Sequence, residues 1–159
     1  MVGRIDKIVV SFQELEDWII EHKHDEILDL TRFDVSRLSH MIGLFYSCDA
    51  REINVSNWDV SNVEDMSHMF THCSSLAYID VSNWDVSKVE NMRSLFLGCE
   101  HLQSLDISNW DVSNVRDMGC MFNYCSALTS IDISNWDVSN VRDMGHMFSY
   151  CHRLQNLNH

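Results

Sequence analysis

Six side chains whose oxygens can take a cation or a hydrogen-bond donor, Asp29, Asn54, Asp80, Asp106, Asp132 and Asn158, recur every 25 or 26 residues. Each follows an apolar residue in a short alternating stretch, the pattern of a strand with one buried face. Alternate strand residues point to opposite faces, so these six predict a column on the exposed side of a sheet. Ser56, Ser82, Ser108 and Ser134 make a second column, and Glu52, Tyr78, Ser104, Ser130 and Asn156 a third. Strands stack about 4.8 Å apart, so adjacent carboxylates in such a column repel by roughly 0.8 kcal/mol even at the dielectric of water. Either serine hydroxyls and screening offset that repulsion, or the face awaits the Lys and Arg side chains of a partner. Calcium fits less well, because its sites gather roughly six to eight oxygens from a turn. Tyr78 adds a residue type that anchors interfaces. The candidate partner-binding residues are therefore Glu52, Asn54, Tyr78, Asp80, Ser104, Asp106, Ser130 and Asp132.

The other chemically capable residues read as structural. His68 and His72 stand four apart on a predicted helix and could share a metal ion, but no third ligand is close in sequence. Cys48, Cys73, Cys99, Cys125 and Cys151 fill one recurring slot, and Cys120 alone breaks the rule. They predict a column of small, buried, reduced thiols, since helix-side slots are too far apart for disulfide geometry. Asp34, Asp59, Asp85, Asp111 and Asp137 each open a DVS turn, where the carboxylate holds nearby backbone amides. A nucleophile and its base would form a singular constellation, whereas nearly every polar residue here recurs in equivalent places. The chain shows no triad, phosphate loop or glycine-rich turn, so the expectation is a protein that is not an enzyme and uses no cofactor.

What must position these residues is a repeat. Trp58, Trp84, Trp110 and Trp136 stand 26 residues apart, and a fixed period of that size signals units that bury their apolar faces against one another. One unit runs Leu102, Leu105, Ile107, Trp110, Val112, Val115, Met118, Met121, Phe122 and Cys125, and a degenerate first copy starts at Leu28 with Phe33 in the tryptophan slot. The tryptophans predict an indole ladder in the core, each N–H bonded to backbone or water. After the strand the spacing changes to Val63, Met66, Phe70 and Cys73, one face of a helix. Ser36, Ser61, Ser87, Ser113 and Ser139 fall at the expected N-caps, and Glu64 and Glu90 complete capping boxes. Before the repeats, Lys7 to Val10 read as a strand, Ser11 and Glu14 as a capping box, and Phe12, Leu15, Trp18 and Ile19 as a helical stripe. The expected architecture is an α/β repeat solenoid with one short strand and one short helix per turn. Residues 1–26 form an N-terminal strand and helix cap, and residues 27–159 about five turns with an incomplete or uncapped last strand.

The strand motif, seen as Leu76, Ile79, Val81 and as Leu102, Leu105, Ile107, is that of leucine-rich repeats. More narrowly, the phrase SNWDVSNVxxMxxMFxxCxxL resembles the repeats of BspA-like bacterial surface proteins over about residues 27–157. That resemblance implies a leucine-rich-repeat-like right-handed coil, no catalytic residues, and a non-enzymatic domain that binds host or partner proteins from the cell surface or in secreted form. Against that location, Met1 to Val10 carries Arg4, Asp6 and Lys7 where an export signal has an apolar core, and reduced thiols suit a cytoplasm.

Composition narrows the partner. A formal charge of −13 excludes nucleic acid, whose phosphates need an excess of Lys and Arg, and suits a protein with a basic surface. No apolar stretch approaches a membrane span. The leading expectation is a bacterial surface or adhesion module that binds a partner through its acidic strand face. The alternatives are a small cytosolic inhibitor or immunity-type protein masking a basic target, and a structural spacer of a longer array. An open C-terminal strand edge permits an end-to-end homodimer.

Overall fold

A computed structural model describes residues 6–158. The outer ends of both expected segments, residues 1–5 with Arg4 of the export-signal reading and His159 at the open edge, lie outside the described residues. Strand β1 (Ile8–Val9) pairs in parallel with β3 (Phe33–Asp34), and helix α1 (Phe12–His22) follows β1. Ser11 caps α1, its hydroxyl accepting the Glu14 amide at 3.2 Å. Leu15 and Ile19 are buried and Phe12 and Trp18 pack on the core, so the stripe read from the sequence is the face by which the helix docks. The Arg32 guanidinium lies 5.2 Å from the Trp18 ring and 5.1 Å from Phe33, tying the helix to β3. Parallel β2 (Ile27–Asp29), β4 (Glu52–Asn54) and β5 (Tyr78–Ile79) make a second sheet, and β6 (Ser130–Asp132) and β7 (Asn156–Asn158) a third.

These elements overturn the α/β solenoid of strand-plus-helix turns, and the leucine-rich-repeat-like right-handed coil with it. Among the described residues α1 is the one helix, and the other regular structure is short parallel strands in small sheets. The stretch from Val63 to Cys73 shows why the spacing misleads. Its backbone closes successive four-residue turns, Met69 N–H to Met66 O, Thr71 N–H to His68 O and Cys73 N–H to Phe70 O, at 3.2 to 3.3 Å. His68 and His72 have φ of 57° and 59°, a left-handed conformation that no right-handed helix tolerates. The amides of Met66, His68, Phe70 and His72 leave the segment altogether and donate to Asn91, Arg93, Leu95 and Leu97 of the next repeat. Consecutive turns thus bring every third or fourth side chain to one side, as a helix would. The serines expected as N-caps give rather than take: the Ser61 and Ser87 amides donate to Asp59 and Asp85 at 3.0 Å. Glu64 and Glu90 send their amides to Ser39 and Glu64 of the preceding repeat, so neither capping box forms.

The repeats meet in register. Parallel bridges join His40, Asp65, Asn91, Asp117 and Asp143 in sequence, one per repeat. Behind them, the Phe45, Phe70, Phe96, Phe122 and Phe148 rings stack at 5.2 to 5.7 Å, and Trp58, Trp84 and Trp110 at 6.4 Å with their planes within 5°. Each indole N–H reaches back to a carbonyl of an earlier repeat: Trp58 to Leu30, Trp84 to Val55, Trp110 to Val81 and Trp136 to Ile107, at 3.0 to 3.1 Å. The thiols do likewise. Cys73, Cys99, Cys125 and Cys151 donate to Phe45, Phe70, Phe96 and Phe122 carbonyls at 3.0 to 3.2 Å, and all six cysteines are free. Burial pushes the thiols of Cys73, Cys99 and Cys125 far above their ordinary range, which keeps them protonated and unreactive. No helix among the described residues is long and apolar enough to cross a membrane.

Candidate functional site

The strand side of the repeats is where the candidate residues gather. Tyr78, Asp80, Ser104, Asp106, Ser130 and Asp132 line one open groove of about 540 Å³, whose floor includes Ile79, Leu105, Ile107 and Ile131. The strand alternation builds it: Ile79, Leu105 and Ile131 turn into the core, and the residues on either side of each turn outward. Tyr78 is 60% exposed, the most open large aromatic among the described residues. Glu52 and Asn54 are not part of this lining. They sit on β4, with Glu52 opposite Tyr78 and Asn54 opposite Asp29.

The groove coincides with a break in the sheet. Ser104–Asp106 was expected as a strand continuous with its neighbours, yet among the described residues no backbone hydrogen bond joins it to Tyr78–Asp80 or to Ser130–Asp132. The nearest link is Thr129 N–H to Gln103 O at 3.1 Å. Backbone amides and carbonyls therefore lie beside the three carboxylates in the middle of the groove, where β5 ends and β6 has not begun.

Each carboxylate is held by its own repeat. Asp80 Oδ1 accepts both the amide (3.0 Å) and the hydroxyl (2.6 Å) of Ser82, and Asp132 Oδ1 accepts the same pair from Ser134. Asp106 has the equivalent bonds from Ser108 at 3.2 and 2.7 Å. The serine hydroxyl, then its amide, holds Asp80 and Asp132 below the usual carboxylate range, so both stay charged in mild acid. The second oxygen of all three carries no hydrogen bond or ion pair among the described residues. The serine column thus offsets the repulsion within the acidic column and leaves it able to accept donors from outside. Asp34, Asp59, Asp85, Asp111 and Asp137 hold the serine two residues on in the same way, the structural role read for them.

The histidine pair loses its premise. His68 and His72 sit in separate left-handed turns rather than on one helical face, and no group of three His, Cys, Asp or Glu among the described residues is placed to hold a metal. The sequence reading missed what Arg93 does. Its guanidinium spans two repeats on the turn side, reaching Asp117 at 3.5 Å and Asp143 at 3.0 Å. Gly119 makes the path, because a Cβ there would stand 2.5 Å from Arg93 Nη1. Gly119 and Gly145, where earlier repeats carry Ser67 and Arg93, were the available signal.

Among curated proteins none matches this chain. The family described as "Mycoplasma protein of unknown function, DUF285" matches it twice, over residues 12–105 and 66–159, so that one copy of the family pattern overlaps the next. Only residues 1–11 fall outside the two matches, and the chain belongs to this family of repeat proteins.

Proposed function

We propose that this chain is a non-enzymatic, protein-binding repeat domain of the BspA-like bacterial surface type, and that it holds a partner with a basic surface in the strand-side groove. The observation that carries this reading is the convergence of Asp80, Asp106, Asp132 and Tyr78 on one groove. Three carboxylates with a free oxygen each favour Lys and Arg over neutral or acidic partners, and an exposed tyrosine offers a ring for packing or for a cation. Membership in a family of repeat proteins and the net charge of −13 support it further. The recurrence of each polar residue in equivalent repeats supports a binding role over catalysis.

The test is a titration of the full chain with lysine-rich, arginine-rich and acidic peptides at low and moderate salt. Basic peptides should bind and weaken as salt rises. Asp80, Asp106 and Asp132→Asn together with Tyr78→Ala should lower affinity by at least about tenfold, each charge pair being worth roughly 0.5 to 1 kcal/mol. Unchanged binding by the fourfold variant, with its fold intact by circular dichroism, would remove the groove from consideration.

A further inference from the structure

The turn side of the molecule holds, within its own chain, a complex of the kind the strand side is shaped for. Asp117 and Asp143 face each other across consecutive repeats, joined by a parallel bridge. In each, Oδ1 accepts the amide two residues on, from Gly119 and Gly145 at 2.8 Å. One guanidinium nitrogen, Arg93 Nη1, then reaches both carboxylates, Asp117 Oδ1 at 3.5 Å and Asp143 Oδ2 at 3.0 Å. A second arginine shows what a guanidinium does beside rings: Arg32 lies over Trp18 and Phe33, 5.2 and 5.1 Å from their centres.

Asp80 and Asp106 repeat the carboxylate half of this arrangement. They hold equivalent positions in consecutive repeats, line the same groove, and each gives Oδ1 to the amide two residues on, that of Ser82 or Ser108. Among the described residues no cation of the chain pairs with either of them. Tyr78, two residues before Asp80 on the same face, supplies an exposed ring. The next pair, Asp106 and Asp132, has Ser104 and Ser130 in that place, so it adds charge without a ring. Lysine would meet the charge alone, as a compact and strongly hydrated ammonium. Arginine carries its donors in one plane, so it can bond both carboxylates and still lie flat against an aromatic face. Resting on the groove reading above, we propose that the groove selects arginine, one guanidinium of the partner bridging Asp80 and Asp106 with its plane against Tyr78.

The probes are three blocked peptides, SRSRS, SKSKS and SRSRS with both arginines dimethylated, titrated into the full chain at low salt and followed by the amide shifts of the groove residues. The arginine peptide should bind at least about fivefold more tightly than the lysine peptide. Dimethylation, which keeps the charge and blocks the donors, should bring it down to the lysine level. Asparagine at either carboxylate retains an oxygen for the serine two residues on, so circular dichroism should report an unchanged fold. Asp80→Asn and Asp106→Asn should each erase the preference for arginine, and the double variant should do no more, since one guanidinium needs both carboxylates. Asp132→Asn should weaken both peptides alike and leave their ratio. Equal binding of the arginine and lysine peptides would overturn the proposal and leave the groove reading standing. So would a preference for arginine that survives the double variant. Failure of all three peptides to bind would remove the groove, and the proposal with it.

Discussion

Replacing Trp84 and Trp136 by alanine, one at a time, tests whether ring stacking between repeats carries the stability of this fold. Both indoles make the same hydrogen bond, to Val55 O at 3.1 Å and to Ile107 O at 3.0 Å. They differ in what surrounds the ring. Trp84 is 4% exposed and lies between Trp58 and Trp110 at 6.4 Å on either side, whereas Trp136 is partly exposed in the last repeat. A buried indole removes on the order of 200 Å² from water, about 5 kcal/mol at 25 cal/mol per Å², and alanine retains a small part of that. Trp84→Ala should therefore cost about 3 to 5 kcal/mol and Trp136→Ala about half as much. Trp84→Phe, which keeps a ring, should cost about 1 to 2 kcal/mol, because Val55 O still accepts the Trp58 amide. Urea unfolding followed by circular dichroism measures all three, with the slope checked for constancy. Equal costs at Trp84 and Trp136 would refute the reasoning, as would a Trp84→Ala cost below about 1.5 kcal/mol.

Gly98 sits at φ +76°, and a Cβ there would stand 2.7 Å from His72 Nδ1. Gly98→Ala should cost about 2 kcal/mol in urea unfolding and only about 1 kcal/mol when His72→Ala clears the ring, which leaves the left-handed backbone term. Native thiol labelling should confine fast reaction to the two partly exposed thiols, Cys120 and Cys151, and Cys120→Ser with Cys151→Ser should abolish it, with Cys48, Cys73, Cys99 and Cys125 reacting only as fast as the fold opens. Fast labelling of all six would place the thiol column outside the core. Asp29, Asp80, Asp85 and Asp111 are held below the ordinary carboxylate range, chiefly by a Ser or Thr hydroxyl. A depressed folded value stabilises above the unfolded pKa of about 3.9 and is lost as pH falls through the folded value. Urea midpoints should thus drop on acidification below about pH 4, and less steeply in Asp85→Asn; an identical drop in that variant would disconnect the turn carboxylates from it.

Burial was legible in the sequence to a degree that backbone conformation was not. The period marks Trp58, Trp84, Trp110, Phe45, Phe70, Phe96, Phe122, Cys48, Cys73, Cys99 and Cys125 as interior, and they are, while Phe148 and Cys151 of the last repeat are only partly buried. The helices were misread because spacings of three and four describe where side chains gather, and successive turns gather them as a helix does. The distinguishing signal lies at Gly43 and Gly98, positive-φ positions that other repeats fill with His68, His72, Ser94, Cys120 and Tyr124. Non-glycine residues at such angles leave little trace in a single sequence. The groove was half legible. Alternation placed Tyr78, Asp80, Asp106 and Asp132 on one side, but the break around Leu105 depends on how the strands pair across repeats, and Ser104–Asp106 differs from the strand Ser130–Asp132 only by leucine in place of isoleucine.

The parallel indoles of Trp58, Trp84 and Trp110 also have an optical consequence. Rings this close pass excitation from one to the next before they emit, so the three behave as a single light-collecting unit. Transfer between rings whose planes agree within 5° leaves the emitting ring in the plane of the one that absorbed, so emission from the folded chain keeps its polarisation through the exchange and loses it when the repeats separate and the rings turn freely.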